Sequence, residues 1–284
     1  MVSAERAGPL CLALLLACAS QPARAQARYD DHEIGGHLKI LVGGFQTNGS
    51  DSELRVDSRR YGLGTTLDLE DQLNVERTVT VARLDGYYRF NRAHRLEWTY
   101  FSQDRSGTRA ILNEDVSIGD VVIPATYSID TELDVAFTKV SYSWSFINTE
   151  LYEFFVGAGV NSRDISMTVR GAGSVAGRSD VRTFDNGDSV PLPTLTTGMR
   201  YDVTKKLQLN FRLESFFIRL DDDNRGRWND TYLLLEYGIS KHFGFGGGVN
   251  ASSTHLKAGL NDDLTAGLDL GHVGFLLYFT AKGL

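Results

Sequence analysis

The chain has 284 residues and a formal net charge of −7, and 42% of its residues are hydrophobic, which suits a folded domain and excludes wholesale disorder. Both cysteines, Cys11 and Cys18, lie near the amino terminus, so the rest of the chain has no thiol for a disulfide, a zinc site or a nucleophile. The negative charge argues against a nucleic-acid partner, because a polyanion would be repelled.

The first 25 residues have the composition of an export signal. The apolar run Leu10–Ala19 is ten residues long, too short for a membrane-spanning helix and typical of a signal-peptide core. A small-x-small cleavage pattern ends at Ala25 and predicts a mature start at Gln26. Two alternatives stay open, namely lipidation at Cys18 and an uncleaved apolar helix.

Residues 26–284 are predicted to form one domain made of β-strands. They contain no stretch of 18 apolar residues, which excludes a helical membrane protein. Apolar and polar residues instead alternate with the period of two that is typical of strands. In residues 207–217, for example, leucine and phenylalanine alternate with Gln208, Asn210 and Arg212.

Ten such segments can be counted along the chain. They cover residues 37–46, 77–90, 94–106, 126–147, 150–168, 192–203, 207–220, 229–243, 246–258 and 266–282. Five long connections alternate with four short turns, predicted near Asn91-Arg92-Ala93, Asn148-Thr149, Thr204-Lys205-Lys206 and Gly244-Phe245. Outer-membrane barrels have short periplasmic turns and longer external loops, so the short turns and both termini are predicted to be periplasmic. The pattern predicts an all-β fold, an antiparallel up-and-down transmembrane β-barrel of about ten strands. Eight strands are possible if two segments are demoted, and twelve if residues 47–76 contain a hidden hairpin.

The distribution of charge and aromatic residues favours a membrane barrel over a soluble β-sandwich. The apolar face of the strands is continuous, whereas the other face carries full charges in mid-strand. This arrangement suits lipid outside and a polar lumen inside. Aromatic residues such as Trp98, Trp144 and Phe245 gather near the short turns, as in an interfacial aromatic girdle.

These features together resemble a known class of proteins. The alanine-rich leader, the alternating strands VSYSWSF (140–146) and LQLNFRL (207–213), and the aromatic girdle are similar to small OmpA-like and OmpW-like outer-membrane β-barrels of bacteria. The resemblance implies export to the outer membrane and insertion by the barrel insertion machinery. It also implies contact with outer-membrane lipid and lipopolysaccharide, and a monomeric state.

The charged residues that project from the inner face are predicted to form a lumen network. The set comprises Lys39, Arg83, Asp85, Arg89, Arg95, Glu97, Lys139, Glu153, Arg200, Asp202, Arg212, Glu214 and Glu236. A selective pore usually has an excess of one sign along its lining, whereas this set is nearly balanced. A barrel of ten strands is little wider than one that its side chains fill. We therefore expect a narrow or plugged polar lumen, in which Arg83, Arg95 and Arg212 pair with Asp85, Glu97 and Glu214 across neighbouring strands.

Candidate catalytic and metal-binding residues are few. Ser253 and His255 in Ser252-Ser253-Thr254-His255 share a strand face, but outer-membrane lipases and deacylases have the order His-x-Ser, which is reversed here. We interpret both as ordinary polar strand residues. The loops Asp221-Asp222-Asp223-Asn224 and Asp262-Asp263 are interpreted as solvated acidic loops rather than calcium sites. No cofactor, metal or catalytic residue is predicted.

The sequence therefore predicts a non-catalytic outer-membrane barrel with a structural or surface role and acidic external loops. A narrow, porin-like channel or conduit for small solutes is the first alternative. A lipid-modifying enzyme of the outer membrane is the second.

Overall fold

A computed structural model describes residues 37–58, 63–109, 116–118, 121–124, 127–175, 178–219, 221, 224–259 and 264–283. The predicted signal peptide and its two processing positions, Cys18 and Gln26, lie outside the described residues. So do Asp222-Asp223 and Asp262-Asp263 of the acidic loops. The processing route therefore stays a prediction.

Nearly all of the described residues lie in strands. In chain order the strands are β1 (Leu38–Ser58), β2 (Leu63–Asp68), β3 (Val79–Arg89), β4 (His94–Arg109), β5 (Val116–Ile118), β6 (Val121–Ile123), β7 (Ser128–Asn148), β8 (Tyr152–Val175), β9 (Arg178–Asp202), β10 (Leu207–Arg219), β11 (Arg225–Gly238), β12 (Phe243–Gly259) and β13 (Leu264–Lys282). One short helix, α1 (Leu69–Leu73), follows β2.

Ten of the strands pair antiparallel, each with its neighbours in the ring, and close on themselves. Around the ring the order is β1, β3, β4, β7, β8, β9, β10, β11, β12 and β13, and β13 pairs back with β1. The closing register runs from Lys39 opposite Lys282 to Ser58 opposite Leu264. The predicted antiparallel up-and-down barrel of about ten strands is confirmed, and ring closure leaves no unpaired edge.

Some connections contain more regular structure than the sequence predicted. β1 continues to Ser58 and pairs there with β2, so residues 47–76 do contain a hairpin, but β2 lies outside the ring. The predicted connection 169–191 is strand for most of its length, since β8 and β9 remain paired up to Val175 opposite Arg178. Apolar alternation fades in these extensions, although the backbone ladder continues.

The fourth short turn lies at residues 239–242, not at the predicted Gly244-Phe245, which belong to β12. The side chain of Ser240 accepts hydrogen bonds from the backbone N–H groups of His242 (3.3 Å) and Phe243 (3.1 Å). These hydrogen bonds to a serine hydroxyl stabilise the turn at residues 239–242, which comes before the glycine-rich segment.

The outer surface of the ring is apolar and the inner surface is polar. On β7 the outward Val140, Tyr142 and Trp144 are 46–49% exposed, whereas the inward Ser141 and Ser143 are at most 1% exposed. A continuous exposed apolar band on a closed barrel is stable only when lipid surrounds it. We call this band the lipid-facing belt. Among the described residues, no helix is long and apolar enough to span a bilayer.

The belt has an upper limit on the same strand. The outward face of β7 changes from Val140 and Ala136 to Asp134, Glu132 and Asp130. The lipid-facing part of β7 therefore lies between its short-turn end and Ala136, and the remaining residues of the strand extend beyond the belt.

The segment between β1 and β3 folds back against the interior of the barrel. Leu69 and Leu73 of α1 are fully buried in an apolar cluster with Phe45, Phe101 and Ile129. The Glu70 carboxylate accepts a hydrogen bond from the backbone N–H of Ser52 (2.8 Å) and forms an ion pair with Arg105. Helix α1 thus packs against β1, β4 and β7 as an apolar plug.

Candidate functional site: a charged lumen and a polar triad on the outer wall

All thirteen charged residues of the predicted lumen network point into the barrel and take part in ion pairs. The contacts are Lys39–Glu236 (2.7 Å), Arg83–Asp85 (2.8 Å), Arg89–Glu153 (3.0 Å), Arg95–Glu97, Lys139–Glu214 (2.5 Å), Arg200–Asp202 (3.7 Å) and Arg212–Glu97 (2.6 Å). Their strands bring them together because residues two apart share one face of a strand.

Four of these ion pairs join strands that are not neighbours in the ring. Two of them are Lys39–Glu236, from β1 to β11, and Arg89–Glu153, from β3 to β8. The other two end on β10, where Arg212 reaches Glu97 on β4 and Glu214 accepts from Lys139 on β7. At least two ring strands separate the partners of each of these two pairs, so both cross part of the lumen. We call Arg212–Glu97 and Lys139–Glu214 the ionic struts.

The predicted pairing scheme needs a correction. The sequence suggested that Arg83, Arg95 and Arg212 pair with Asp85, Glu97 and Glu214 across neighbouring strands. Arg83–Asp85 and Arg95–Glu97 are instead pairs within one strand, and Arg212 contacts Glu214 on its own strand at 3.4 Å. Same-face residues two apart are separated by about 7 Å, a distance that a long arginine side chain spans.

Glu153 is the centre of the network at the periplasmic end. Its side chain is fully buried and contacts three arginines, Arg89 (3.0 Å), Arg95 (2.9 Å) and Arg200 (3.0 Å). The hydroxyl of Ser145 donates a further hydrogen bond to it. Arg95 and Arg200 also contact Glu97 and Asp202, but Arg89 has Glu153 as its carboxylate partner, so removal of Glu153 would leave a buried cation uncompensated.

Aromatic rings separate the ionic part of the lumen from the apolar plug. The guanidinium of Arg83 lies over the rings of Phe45, Phe101 and Tyr232, with centroid distances of 5.0–5.5 Å. Such contacts add a cation–π attraction to the ion pair with Asp85. The cavity that remains among these side chains has a volume of about 110 Å³.

Several lumen residues escaped the sequence analysis. Lys282 is the second cation on Glu236, at 2.6 Å. Arg105 is an even number of residues from Arg95 on β4, and Arg163 is an even number from Glu153 on β8. Both therefore share the inward face of their strands, and the alternation could have predicted them. The ion pair of Glu70 with Arg105 had no such signal, because Glu70 lies in a segment that sequence analysis left as a connection.

The outer wall carries a second polar arrangement, at the serine–histidine cluster singled out in the sequence. Ser253 Oγ lies 3.1 Å from His255 Nε2. His255 Nδ1 lies 2.6 Å from the Oδ1 atom of Asp269, on the neighbouring strand β13. The sequence interpretation treated Ser253 and His255 as ordinary polar strand residues and missed Asp269, because the partner strand's register was unknown.

Two grooves lie beside this arrangement. One, of about 620 Å³, is lined by His255, Asp269, Glu53 and the cationic residues Arg55, Arg225, Arg227 and Lys257. The other, of about 490 Å³, is lined by Ala158, Pro193, Leu195, Phe217, Arg227 and Asn229. Phe217 and Arg227 belong to both grooves, so a polar region and a more apolar region adjoin on the outer wall.

Metal binding has little support within the described part of the chain. No group of three His, Cys, Asp or Glu there could hold a metal ion. Asp221 instead accepts hydrogen bonds from the backbone N–H of Asn224 (2.7 Å) and from its side-chain amide (2.9 Å). This contact closes a tight turn between β10 and β11.

Comparison with known proteins finds similar solved structures but no sequence relative. No family model and no curated protein match the sequence. The solved structures similar to this chain include the outer membrane protease OmpT from Escherichia coli, at 11% identity over 86% of this chain and 96% of that chain, with a TM-score of 0.49. They also include OprG from Pseudomonas aeruginosa, at 12% identity over 87% and 97% with a TM-score of 0.34, and the transport unit of the autotransporter AIDA-I from Escherichia coli, at 9% over 90% and 93% with a TM-score of 0.44. These likenesses carry no argument about activity. The closed ring and its lipid-facing belt make the chain a β-barrel of the bacterial outer-membrane type.

Proposed function

We propose that the protein is a sealed outer-membrane barrel with a structural and surface role, and not an open channel. The observation that carries the proposal is the pair of ionic struts, Arg212–Glu97 and Lys139–Glu214, that cross the lumen. An open pathway for solutes would have to break or displace both.

The volume and charge of the lumen support this proposal. A cavity of about 110 Å³ is small compared with a drug-sized ligand site, which occupies about 300–1,000 Å³. The positive and negative side chains are nearly balanced and mutually paired, so the lining has no strong excess of one sign to select an ion. The apolar plug of Leu69 and Leu73 adds a second obstruction.

The proposal is tested by removing two lumen cations at once. In Arg83→Ala with Arg212→Ala, Asp85 and Glu97 lose ion-pair partners, and the vacated space admits water and cations. We expect the wild type to conduct little in a planar bilayer and the double variant to conduct more, with a preference for cations. The effect should appear in single-channel recordings as longer or larger open steps.

A matched control removes two cations from the outer wall. Arg170 and Arg225 are exposed, so Arg170→Ala with Arg225→Ala changes the net charge equally without touching the lumen. This control should conduct as little as the wild type. Equal conductance of the lumen variant and the wild type, at a large and stable level, would contradict the sealed barrel and favour the narrow conduit for small solutes.

The remaining expectations follow from the barrel's place in the membrane. We propose outer-membrane lipid and lipopolysaccharide as surface partners, the barrel insertion machinery as the route of assembly, and a monomeric state. The thirteen charged residues of the lumen network are held in ion pairs, which supports a role for them in closing the barrel. Purification from outer membranes at the mass of one chain would be the expected result.

A further inference from the structure

The Ser253–His255–Asp269 arrangement on the outer wall has no role in sealing the lumen. We propose that these three residues form a serine hydrolase site that cleaves ester-linked acyl chains of outer-leaflet lipids. The site goes beyond the structural role and departs from the expectation of a wholly non-catalytic barrel. It is independent of whether the lumen is open.

The three side chains have the geometry that acyl transfer requires. Ser253 Oγ is 3.1 Å from His255 Nε2, and Asp269 Oδ1 is 2.6 Å from His255 Nδ1. With the proton on Nδ1, the ring donates to Asp269, and its Nε2 lone pair accepts from the serine hydroxyl. The nucleophile therefore contacts the base, and the base contacts the carboxylate that orients it.

The strands themselves set this geometry. Ser253 and His255 are two apart on β12, so they share a face, and the inward Ser252 and Thr254 between and beside them are at most 8% exposed. The register places Asp269 directly opposite His255. Sites built on paired strands are held more rigidly than sites on loops.

The depth of the site matches the outer rim of the lipid-facing belt. Phe245, which is 47% exposed, marks the periplasmic end of the belt on β12, and His255 lies ten residues further along the strand. Ten residues rise about 33 Å along a strand, or about 25 Å along the membrane normal at a tilt near 40°. This is about the height of the apolar band, so the triad lies where lipid ester groups meet the headgroups.

The surroundings indicate the class of substrate. Arg227 lies opposite His255, and Arg225 lies opposite Lys257, so a cationic cluster adjoins the triad on its outer side. Guanidinium groups suit phosphate headgroups, because they donate in a fork that matches the phosphate oxygens. Ala158, Leu195 and Phe217 in the neighbouring groove offer apolar surface for an acyl chain. A phosphate-bearing lipid with ester-linked chains satisfies both regions.

Glycine keeps the nucleophile accessible. Gly271 lies opposite Ser253 on β13, and a Cβ added there would find its nearest atom, Asp51 O, at 3.9 Å. No side chain of residue 271 covers the serine hydroxyl, so an ester carbonyl can approach it. On the other side of Ser253, Asn229 is the cross-strand neighbour, so its side-chain amide is the candidate donor to a developing oxyanion.

The reaction balances with water as the only co-reactant. Ser253 Oγ forms a bond to the ester carbonyl carbon while its proton passes to His255 Nε2. The carbon–oxygen bond to the alcohol breaks, and the alcohol leaves with that proton, which produces acyl-Ser253. Water then gives a proton to His255 and attacks the acyl carbon. The fatty acid leaves, and Ser253 Oγ regains the proton.

The test uses the full chain inserted in two kinds of vesicle. One contains phosphatidylethanolamine and phosphatidylglycerol, and the other also contains lipopolysaccharide. Fatty-acid release is measured by mass spectrometry, and a fluorophosphonate probe reports covalent labelling of the nucleophile. We expect release from at least one vesicle and labelling at Ser253, and the vesicle that is hydrolysed identifies the lipid source.

Variants separate the triad from the surrounding wall. Ser253→Ala and His255→Ala should lower release by about a thousandfold or more and abolish labelling, and Asp269→Asn should lower it less. Ser166→Ala removes an outward serine on β8 and should change neither readout. Gly271→Leu should raise the KM for vesicle lipid more than for a small soluble ester, because it covers the hydroxyl without altering the triad.

Every substitution lies on the exposed outer wall, and folding is checked by the heat-dependent gel mobility of each barrel. A folded wild type that releases no fatty acid from either vesicle and shows no label at Ser253 would overturn the proposal. Release that persists in folded Ser253→Ala would overturn it equally. Neither result would bear on the conductance test of the sealed lumen.

Discussion

At the scale of single residues, burial decides what a charge can do in this barrel. Glu153 is fully buried among three arginines, whereas Glu150, three positions earlier in the adjoining turn, is exposed. Breaking a buried ion pair by removing one partner costs about 3–5 kcal/mol, because it leaves an uncompensated charge in a low-dielectric site. The same side chain at an exposed position contributes little.

Glu153→Ala should therefore lower the free energy of unfolding by about 3–5 kcal/mol. Glu150→Ala, which removes an identical side chain, should change it by less than about 1 kcal/mol. The measurement is urea-induced unfolding of the barrel in lipid vesicles, followed by tryptophan fluorescence. Equal stability of the two variants would mean that the three arginines do not depend on Glu153.

A second prediction at this scale concerns the lipid-facing belt. Val140 is outward and half-exposed within the belt, and Glu132 is outward on the same strand but above it. Val140→Arg should cost about 2–4 kcal/mol if the position is near the bilayer midplane. Glu132→Arg places the same side chain in water and should cost far less. Similar losses at both positions, in the same vesicle unfolding assay, would show that the belt has been placed wrongly.

At the scale of elements, the sequence predicted most ring strands over nearly their whole length and missed the extensions of β1, β8 and β9 beyond the belt. Inside the membrane, residues that face lipid are apolar and the alternate residues that face the lumen are polar. A strand such as β10 can therefore be predicted from residues 207–217. Above the membrane both faces of β8 and β9 meet water, and alternation no longer reports pairing. Gly244-Phe245 was taken for a turn because the Ser240 capping contacts have no periodic signal.

The candidate sites divide in the same way. The alternation of inward and outward residues along one strand is enough to place Arg95 and Glu97 in the lumen, and the sequence predicted both. Contacts across the lumen, such as Arg212–Glu97, depend on ring closure, and the contact of His255 with Asp269 depends on register. Neither ring closure nor register can be derived from the residues of one strand, which is why Asp269 was missed.

The paired extensions of β4 and β7 above the belt contain a like-charge contact. Asp134 lies directly opposite Asp104, with Glu132 two residues away. Partial burial, then the charges of Asp104 and Glu132, raise the pKa of Asp134 above its ordinary value. A raised carboxyl pKa means that the folded state favours the neutral form, so the repulsion acts above that pKa and is relieved as the pH falls through it.

Asp134→Asn should therefore stabilise the barrel at neutral pH by about 0.2–1 kcal/mol, the usual scale for a cross-strand pair. The gain should vanish in acid, where the wild-type carboxyl is also neutral. Asp130→Asn is the control, since Asp130 accepts a hydrogen bond from Thr108 (3.0 Å) and faces no carboxylate across the strand. Unfolding midpoints at neutral and acidic pH would check both, and a gain that persists in acid would contradict the repulsion.

Helix α1 yields a prediction about local stability. Leu69→Ala with Leu73→Ala removes two fully buried side chains from the plug, and each Leu→Ala change in a core costs about 2–5 kcal/mol. Because the ring is closed without α1, we expect faster hydrogen exchange at the Val75 amide, which donates to Leu69 O (3.0 Å), and unchanged exchange in the ring strands. Asp71→Ala, at an exposed position of the same helix, should leave exchange nearly unchanged. Uniform acceleration across the ring would show that the plug is part of the barrel's cooperative unit.

At the scale of the whole molecule, the outer wall contacts lipid and the ion pairs inside close the lumen. Arg212–Glu97 and Lys139–Glu214 join non-neighbouring strands across the lumen, and the plug adds apolar packing beside them. Access for substrates would then be from the outer leaflet, where the Ser253 site lies, and not through the interior. A sealed lumen and an active outer wall are compatible, because they use different faces of the same strands.

The conductance of the wild-type protein in a planar bilayer tests the sealed lumen most directly. Insertion is verified in the same preparation by the increased conductance of Arg83→Ala with Arg212→Ala. We predict that the wild type, once inserted, shows no stable open level. Large, long-lived conductance steps from the wild type would contradict it, because no such current can pass while the two ionic struts span the lumen.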